Sequence, residues 1–280
     1  MTAVVGILNK RGVAIAADSA VTRTRGRQEK VTKNGNKMVR LSNSHPISVM
    51  LTGNACFLRT PWDVIIRRYR QIRGDVEHPT VKDCAEDFFR YISENKVFWD
   101  KNAEQEWIDE IIDTLFSMIN NSLPWDVSRR DEEGSLLKPK AFQNAFLKQL
   151  KKERDEELKG GICPQFKDYD FSQFKDYVKE NIERYLKEHS NQEGWHSEDQ
   201  YPPEMLQEIR DEFEQTLYAR FTTRFEYDSS AVLVFSGFGS QEKYPSLISA
   251  MVCEGIDCRV NYHIKNDDVI CISDERPVAI

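Results

Sequence analysis

The chain has 280 residues, 40% of them hydrophobic and 30% charged, enough for one large domain or two small ones with a buried core. A net charge of -7 argues against nonspecific nucleic-acid binding, which needs a basic face. No apolar run approaches the roughly 20 residues of a membrane helix. The apolar start is broken by Asn9, Lys10 and Arg11 and lacks a signal-peptide cleavage pattern, so no membrane association and a cytoplasmic location are expected.

From Thr2 to about Gly53 the chain reads as strand. Thr2 to Leu8 is rich in β-branched residues, Asn9-Lys10-Arg11-Gly12 is a hairpin turn, and Val13 to Ala17 returns. Ser19 to about Glu29 reads as a polar loop. Asn34-Gly35 carries the strongest short hairpin signal, that of a two-residue type I′ turn. Lys37 to Leu41 alternates, Asn43 to Pro46 turns, and Ile47 to Leu51 forms a further strand stopped at Thr52-Gly53.

Pro61 to about Phe225 reads as helix. Trp62, Ile65, Ile66 and Tyr69 share one face after Pro61, and Cys84, Phe88, Phe89 and Ile92 share another after Pro79-Thr80. Four more amphipathic helices follow, marked by Ile108 to Ile119, Phe142 to Leu150, Phe174 to Tyr185 and Met205 to Phe221. Gly160-Gly161 stops the second of these, and Asn191 to Pro203 reads as a polar linker.

Strand then returns. Ser230 to Gly239 is a buried strand closed by glycines, with further strands at Ser246 to Val252, Asp257 to Ile264 and Asp268 to Ser273. The stop at Arg276 to Ile280, just after a strand, reads as a truncated or shortened form. Strands, then helices, then strands give an α+β class: two antiparallel sheets with helices packed outside.

The six cysteines form no CxxC pair and no histidine stands at finger-like spacing from them, so they read as buried thiols, not disulfides or a zinc site. The five histidines do not cluster in sequence. No metal or organic cofactor is expected.

The chemistry concentrates in the first fifty residues. A hydroxyl is a weak nucleophile and needs a base. If Met1 is removed, Thr2 carries its own: an α-amine whose ordinary pKa is about 7.7–8.0. A neighbouring cation lowers that value and stabilises developing charge, and a carboxylate orients the cation. Lys37 and Asp18 are the available pair, with Lys33 a competitor for the lysine role. Asp18 ends the strand that hairpin register brings back beside Thr2. Gly53 leaves room for a substrate carbonyl to reach its N–H. Taken singly, each residue type is ordinary at its position; the order Thr, Asp, Lys, Gly across linked strands is what carries the signal.

TAVVGILNKRGVAIAADSAVT, then KMVRL, then ISVMLTGNA resembles the opening of the proteasome β-subunit family, and most of all the bacterial proteasome-like threonine peptidase. The resemblance covers about residues 2–95 and 228–275. It implies an N-terminal nucleophile hydrolase fold, an αββα sandwich, with Thr2 as nucleophile, Asp18 and Lys37 beside it and Gly53 in the oxyanion site. Ser19 and Thr22 fall where that family lines its substrate cleft. It further implies a peptide or protein substrate, a homo-oligomeric ring and an ATP-dependent unfoldase as partner. The chain departs from the family in two ways. A helical insertion occupies residues 97–227, dividing it from a core of residues 1–96 and 228–280, and the family's glycine-serine-glycine turn and following helix are missing around Ile272-Ser273-Asp274-Glu275, leaving the last helix layer incomplete. Two other readings stay open: a small-molecule amide hydrolase of the same fold, and an inactive structural or regulatory subunit.

Overall fold

The computed structural model describes residues 4–17, 21–25, 28–32, 37–129, 136–189, 203–223, 230–264, 269–273 and 278–279. It is a mixed α+β architecture whose sheets are antiparallel. The chain divides into two units, Met1–Asp100 with Glu226–Ile280, and Lys101–Phe225.

The first unit starts with β1 (Val4–Asn9) and β2 (Gly12–Ala17), joined at Lys10-Arg11. Asn9 builds this turn: its Oδ1 accepts from the N–H groups of Arg11 at 2.8 Å and Gly12 at 3.1 Å, an Asx-type turn. Strand alternation then sorts the side chains. Leu8, Val13, Ile15 and Ala17 face inward, while Val5 and Ile7 on the other face are 54% and 49% exposed. A short last strand, β13 (Val278–Ala279), pairs with the far edge of β1 through Leu8 and Asn9.

Within the stretch whose composition suggests a loop, Val21 to Arg25 and Gln28-Glu29 are strand. β3 (Val21–Arg25) and β4 (Gln28–Thr32) form a separate antiparallel hairpin, Thr22 opposite Val31. The β-branched Val21, Thr22, Thr24, Val31 and Thr32 favour extended backbone even among charged neighbours. The Asn34-Gly35 turn lies outside the described residues.

The larger sheet has the order β11-β10-β9-β6-β5, made from β5 (Met38–Arg40), β6 (Ser48–Gly53), β9 (Ala231–Gly237), β10 (Ser246–Ile256) and β11 (Arg259–His263), with β12 (Val269–Cys271) also on β10. A small ribbon of β7 (Cys56–Phe57) and β8 (Thr60–Pro61) follows β6. The expected strand over Asp257 to Ile264 begins later, because Asp257 and Cys258 form the turn, with φ of 48° and 59°. β10 accordingly runs to Ile256, four residues past the expected Val252, with an irregularity between Val252 and Gly255.

The two sheets lie face to face. Leu8, Val13, Ile15 and Ala17 of the hairpin pack on Met50, Val232, Val234, Leu247 and Ile272 of the larger sheet side. The opposite face of the larger sheet carries two helices, α1 (Trp62–Arg73) and α2 (Val81–Glu94). Phe235 meets Phe88 and Phe89 at 5.8 Å each, and Tyr262 stacks on Phe89 at 4.0 Å. Helix α2 starts at Thr80 because Thr80 and Asp83 cap each other reciprocally.

The second unit packs four helices, α3 (Lys101–Ser122), α4 (Pro139–Lys159), α5 (Phe171–His189) and α6 (Pro203–Thr222). Helix α6 lies against α4 and α5, and α3 against α4 and α5. Aromatic side chains fill the space between them: Trp107 and Phe174 both meet Phe221, at 5.1 and 5.6 Å.

One buried acid of this unit has a pH signature. Glu157, with its side chain 7% exposed, lies 3.5 Å from the Arg220 guanidinium. Burial pushes its carboxyl up to about 7, against the opposing pull of Arg220. The folded value exceeds the unfolded one, so the stability it contributes is complete below about pH 4.5 and is lost as pH rises through about 7. A shift of this size corresponds to roughly 3 kcal/mol. Urea midpoints of the wild type are expected to fall across that window from this group, and those of Glu157→Gln to lack that component.

Candidate active site

The polarity of the two sheets decides which strand ends meet. Gly12 and Val13, at the start of β2, line one cleft together with Ser48, at the start of β6, and Ser236, near the end of β9. β2 and β6 therefore begin at the same end of the sandwich and both run toward the other. At that other end stand Ala17 and Gly53. Ala17 joins the inter-sheet core with Val232, whose neighbour Ala231 is the register partner of Gly53.

Lys37 comes to the same end from the opposite direction. β5 is antiparallel to β6, and the Lys37 carbonyl accepts from Leu51 N–H at 2.9 Å. Lys37 is half-buried and sits just before β5. Successive N–H groups of a strand point to alternate edges. Asn54 N–H donates to the O of Ser230, just before β9, at 3.2 Å, so the Gly53 N–H points to the β5 edge, as Leu51 N–H does.

Gly53 is required at its position. Its φ is +81°, and a Cβ there would lie 2.4 Å from Ser230 O. The strand ends in a conformation that only glycine adopts cheaply, leaving its backbone exposed at the sandwich end.

Val4 pairs with Ala17 as the outermost described pair of the first hairpin. Thr2, Asp18 and Ser19 lie outside the described residues, as does Lys33. Thr22 is in β3, not in a loop. Of the sequence-derived site residues, Lys37 and Gly53 are described and stand toward the end of the sandwich at which β2 reaches Ala17.

A second polar constellation, not anticipated from sequence, lies between α1 and α2. The Asp87 side chain, 5% exposed, accepts from Tyr69 Oη at 2.8 Å and Arg73 Nη1 at 2.7 Å, and from Arg90. His78 Nε2 is 3.3 Å from Tyr69 Oη and 3.8 Å from the carboxylate. Burial alone would raise the Asp87 pKa, but hydrogen bonds from Arg90 and Tyr69 and the Arg73 charge outweigh it and hold the carboxyl below its ordinary value. Burial lowers His78, with Asp87 partly offsetting it. Burial pushes the neighbouring Cys84 thiol up to about 12, which leaves it a poor nucleophile at neutral pH. The signal for this network was legible in principle: Asp87 interrupts the apolar stripe of Cys84, Phe88 and Tyr91. A charge on a buried face needs partners.

Among the described residues no three or more His, Cys, Asp or Glu side chains converge as metal ligands. No described helix is long and apolar enough to cross a membrane. In comparison with known proteins, the chain matches no family model, no curated protein and no solved structure.

Proposed function

We propose that the chain is an N-terminal threonine hydrolase of the proteasome-like type, acting on peptide bonds through Thr2. The observation that carries this reading is the convergence of Ala17, Lys37 and Gly53 at one end of a two-sheet sandwich. Asp18 follows Ala17 directly, and Thr2 stands two residues before Val4, the partner of Ala17. Acyl transfer needs a nucleophile, a cation, a carboxylate and a backbone donor, and Thr2, Lys37, Asp18 and Gly53 are the residues proposed for these roles.

In this mechanism loss of Met1 frees the Thr2 α-amine. The amine takes the hydroxyl proton as Oγ attacks the substrate carbonyl carbon. The carbonyl electron pair moves to oxygen, and the Gly53 N–H, directed to the β5 edge, holds that oxyanion. The new α-ammonium returns its proton to the leaving amine, and an ester on Thr2 remains. Water then attacks the ester, giving its proton to the amine, and the hydroxyl is restored as the acid leaves. Lys37 keeps the amine unprotonated near neutrality, and Asp18 orients Lys37.

Intact-mass measurement before and after treatment with a threonine-reactive epoxyketone or β-lactone tests the reading. The expected result is a chain lacking Met1 that gains one inhibitor mass, with no gain in Thr2→Ala. A chain that keeps Met1, or a processed chain that stays unlabelled, points to an inactive subunit.

A further inference from the structure

The cleft at the other end of the sandwich has its own chemistry. Arg40, Ser48 and Ser236 are direct register partners across β5, β6 and β9. Side chains opposite one another on neighbouring strands stand on the same face, roughly 4.5–5.5 Å apart at Cβ. The three therefore form one polar row on the inner face of the larger sheet, and all three line the cleft. The next row along the same face, Met50 and Val234, is ordinary apolar core.

Within this row Ser236 is buried and Ser48 half-buried, and hydroxyls so placed call for a polar partner, while Arg40 is exposed. The Ser48 and Ser236 hydroxyls find none among the described residues, and neither oxygen is sealed from the cleft. Arg40 forms no ion pair among the described residues. Its guanidinium is instead fixed by carbonyls, Nε donating to Ser42 O at 2.7 Å and Nη2 to Asn43 O at 2.9 Å. A pinned cation with no counter-charge, beside two open hydroxyls, is suited to an anionic oxygen pair. The facing wall is apolar, with Val13 and Ile15 of β2; Pro46 and Phe238 flank the polar row, and the space is about 510 Å³, within the range of small-molecule sites.

We propose that this cleft binds a small amphipathic carboxylate, its charged head on Arg40, Ser48 and Ser236 and its short apolar body against Val13 and Ile15. The site lies at the opposite end of the sandwich from Gly53 and does not depend on the Thr2 chemistry.

Isothermal titration of the full chain with sodium hexanoate tests this. One saturable site per chain is expected, with 1-hexanol and acetate each binding at least about tenfold more weakly, since one lacks the charge and the other the body. Arg40→Met should weaken hexanoate by about tenfold or more. Ser48→Leu should abolish binding: Ser48 lines the cleft on the same face as Arg40 and Ser236, so the added side chain takes the place of the charged head. Absence of a saturable hexanoate site, hexanol binding as well as hexanoate, or undiminished binding to a folded Ser48→Leu would overturn the proposal. If Arg40→Met or Ser48→Leu does not fold, Ser236→Ala decides the matter: it should weaken hexanoate, and unchanged affinity would overturn the proposal.

Discussion

Thr2→Ala is expected to lower peptide hydrolysis by at least about 10⁴-fold, because removing the nucleophile of an acyl-transfer site removes the covalent route itself. Thr2→Ser keeps a hydroxyl and an α-amine and should retain measurable turnover. Lys37→Ala should lose most activity and move the remainder to higher pH, since an amine without a neighbouring cation gives up its proton later. Steady-state rates on a fluorogenic peptide as a function of pH check this set, with circular dichroism melts to establish that each variant is folded. Full activity in Thr2→Ala would place the chemistry elsewhere and remove the basis for the mechanism.

The second large effect concerns stability. Asp87→Ala is expected to cost about 3–5 kcal/mol, read as a fall in the urea midpoint, because it strands several groups at once. Tyr69, Arg73 and Arg90 all donate to this carboxylate, and Asp87 and Tyr69 are both buried. Asp87→Asn keeps the shape and an acceptor and should cost less. The same network sets an acid limit. The folded pKa of His78 lies below its ordinary 6.5, so stability from this group is present above that value and declines as pH falls below it. The folded pKa of Asp87 lies below its ordinary 3.8, so its contribution holds above that value and is lost as pH falls further. Acid destabilisation of the wild type therefore has two stages, and Asp87→Ala should lack the lower one.

These two expectations rest on parts of the molecule that differ in how openly the sequence announces them. The amphipathic helices were legible because one apolar stripe at helical spacing specifies both the element and its buried face, as with Ile108, Ile111, Ile112 and Leu115 in α3. The first hairpin was legible through Asn9 and the alternation on either side of it. β3 and β4 were not, because Thr22 to Arg25 has no apolar face and its strand character is set by pairing. Nor was the turn at Asp257-Cys258, where both residues take positive φ without the Asn-Gly pair that usually marks such a turn. In the candidate active site, the residue types and their order can be read along the chain. That Lys37 and Gly53 stand at the same end as Ala17 cannot, because it depends on how one sheet lies on the other. The Arg40–Ser48–Ser236 row is hidden for the same reason: its members are far apart in sequence and meet only through strand register.

The pairing of β13 with β1 changes what kind of strand β1 is. With β2 along one side and β13 along part of the other, the first strand of the chain becomes an interior strand there, its amides near Leu8 and Asn9 closed to outside templates. This matters because Val5 and Ile7 leave an uncovered oily surface on the same strand. An open hydrogen-bonding edge beside such a surface invites strand-to-strand association between molecules. Strand β13 thus acts as a selvedge over the Leu8-Asn9 end of β1, keeping that end committed to its own molecule.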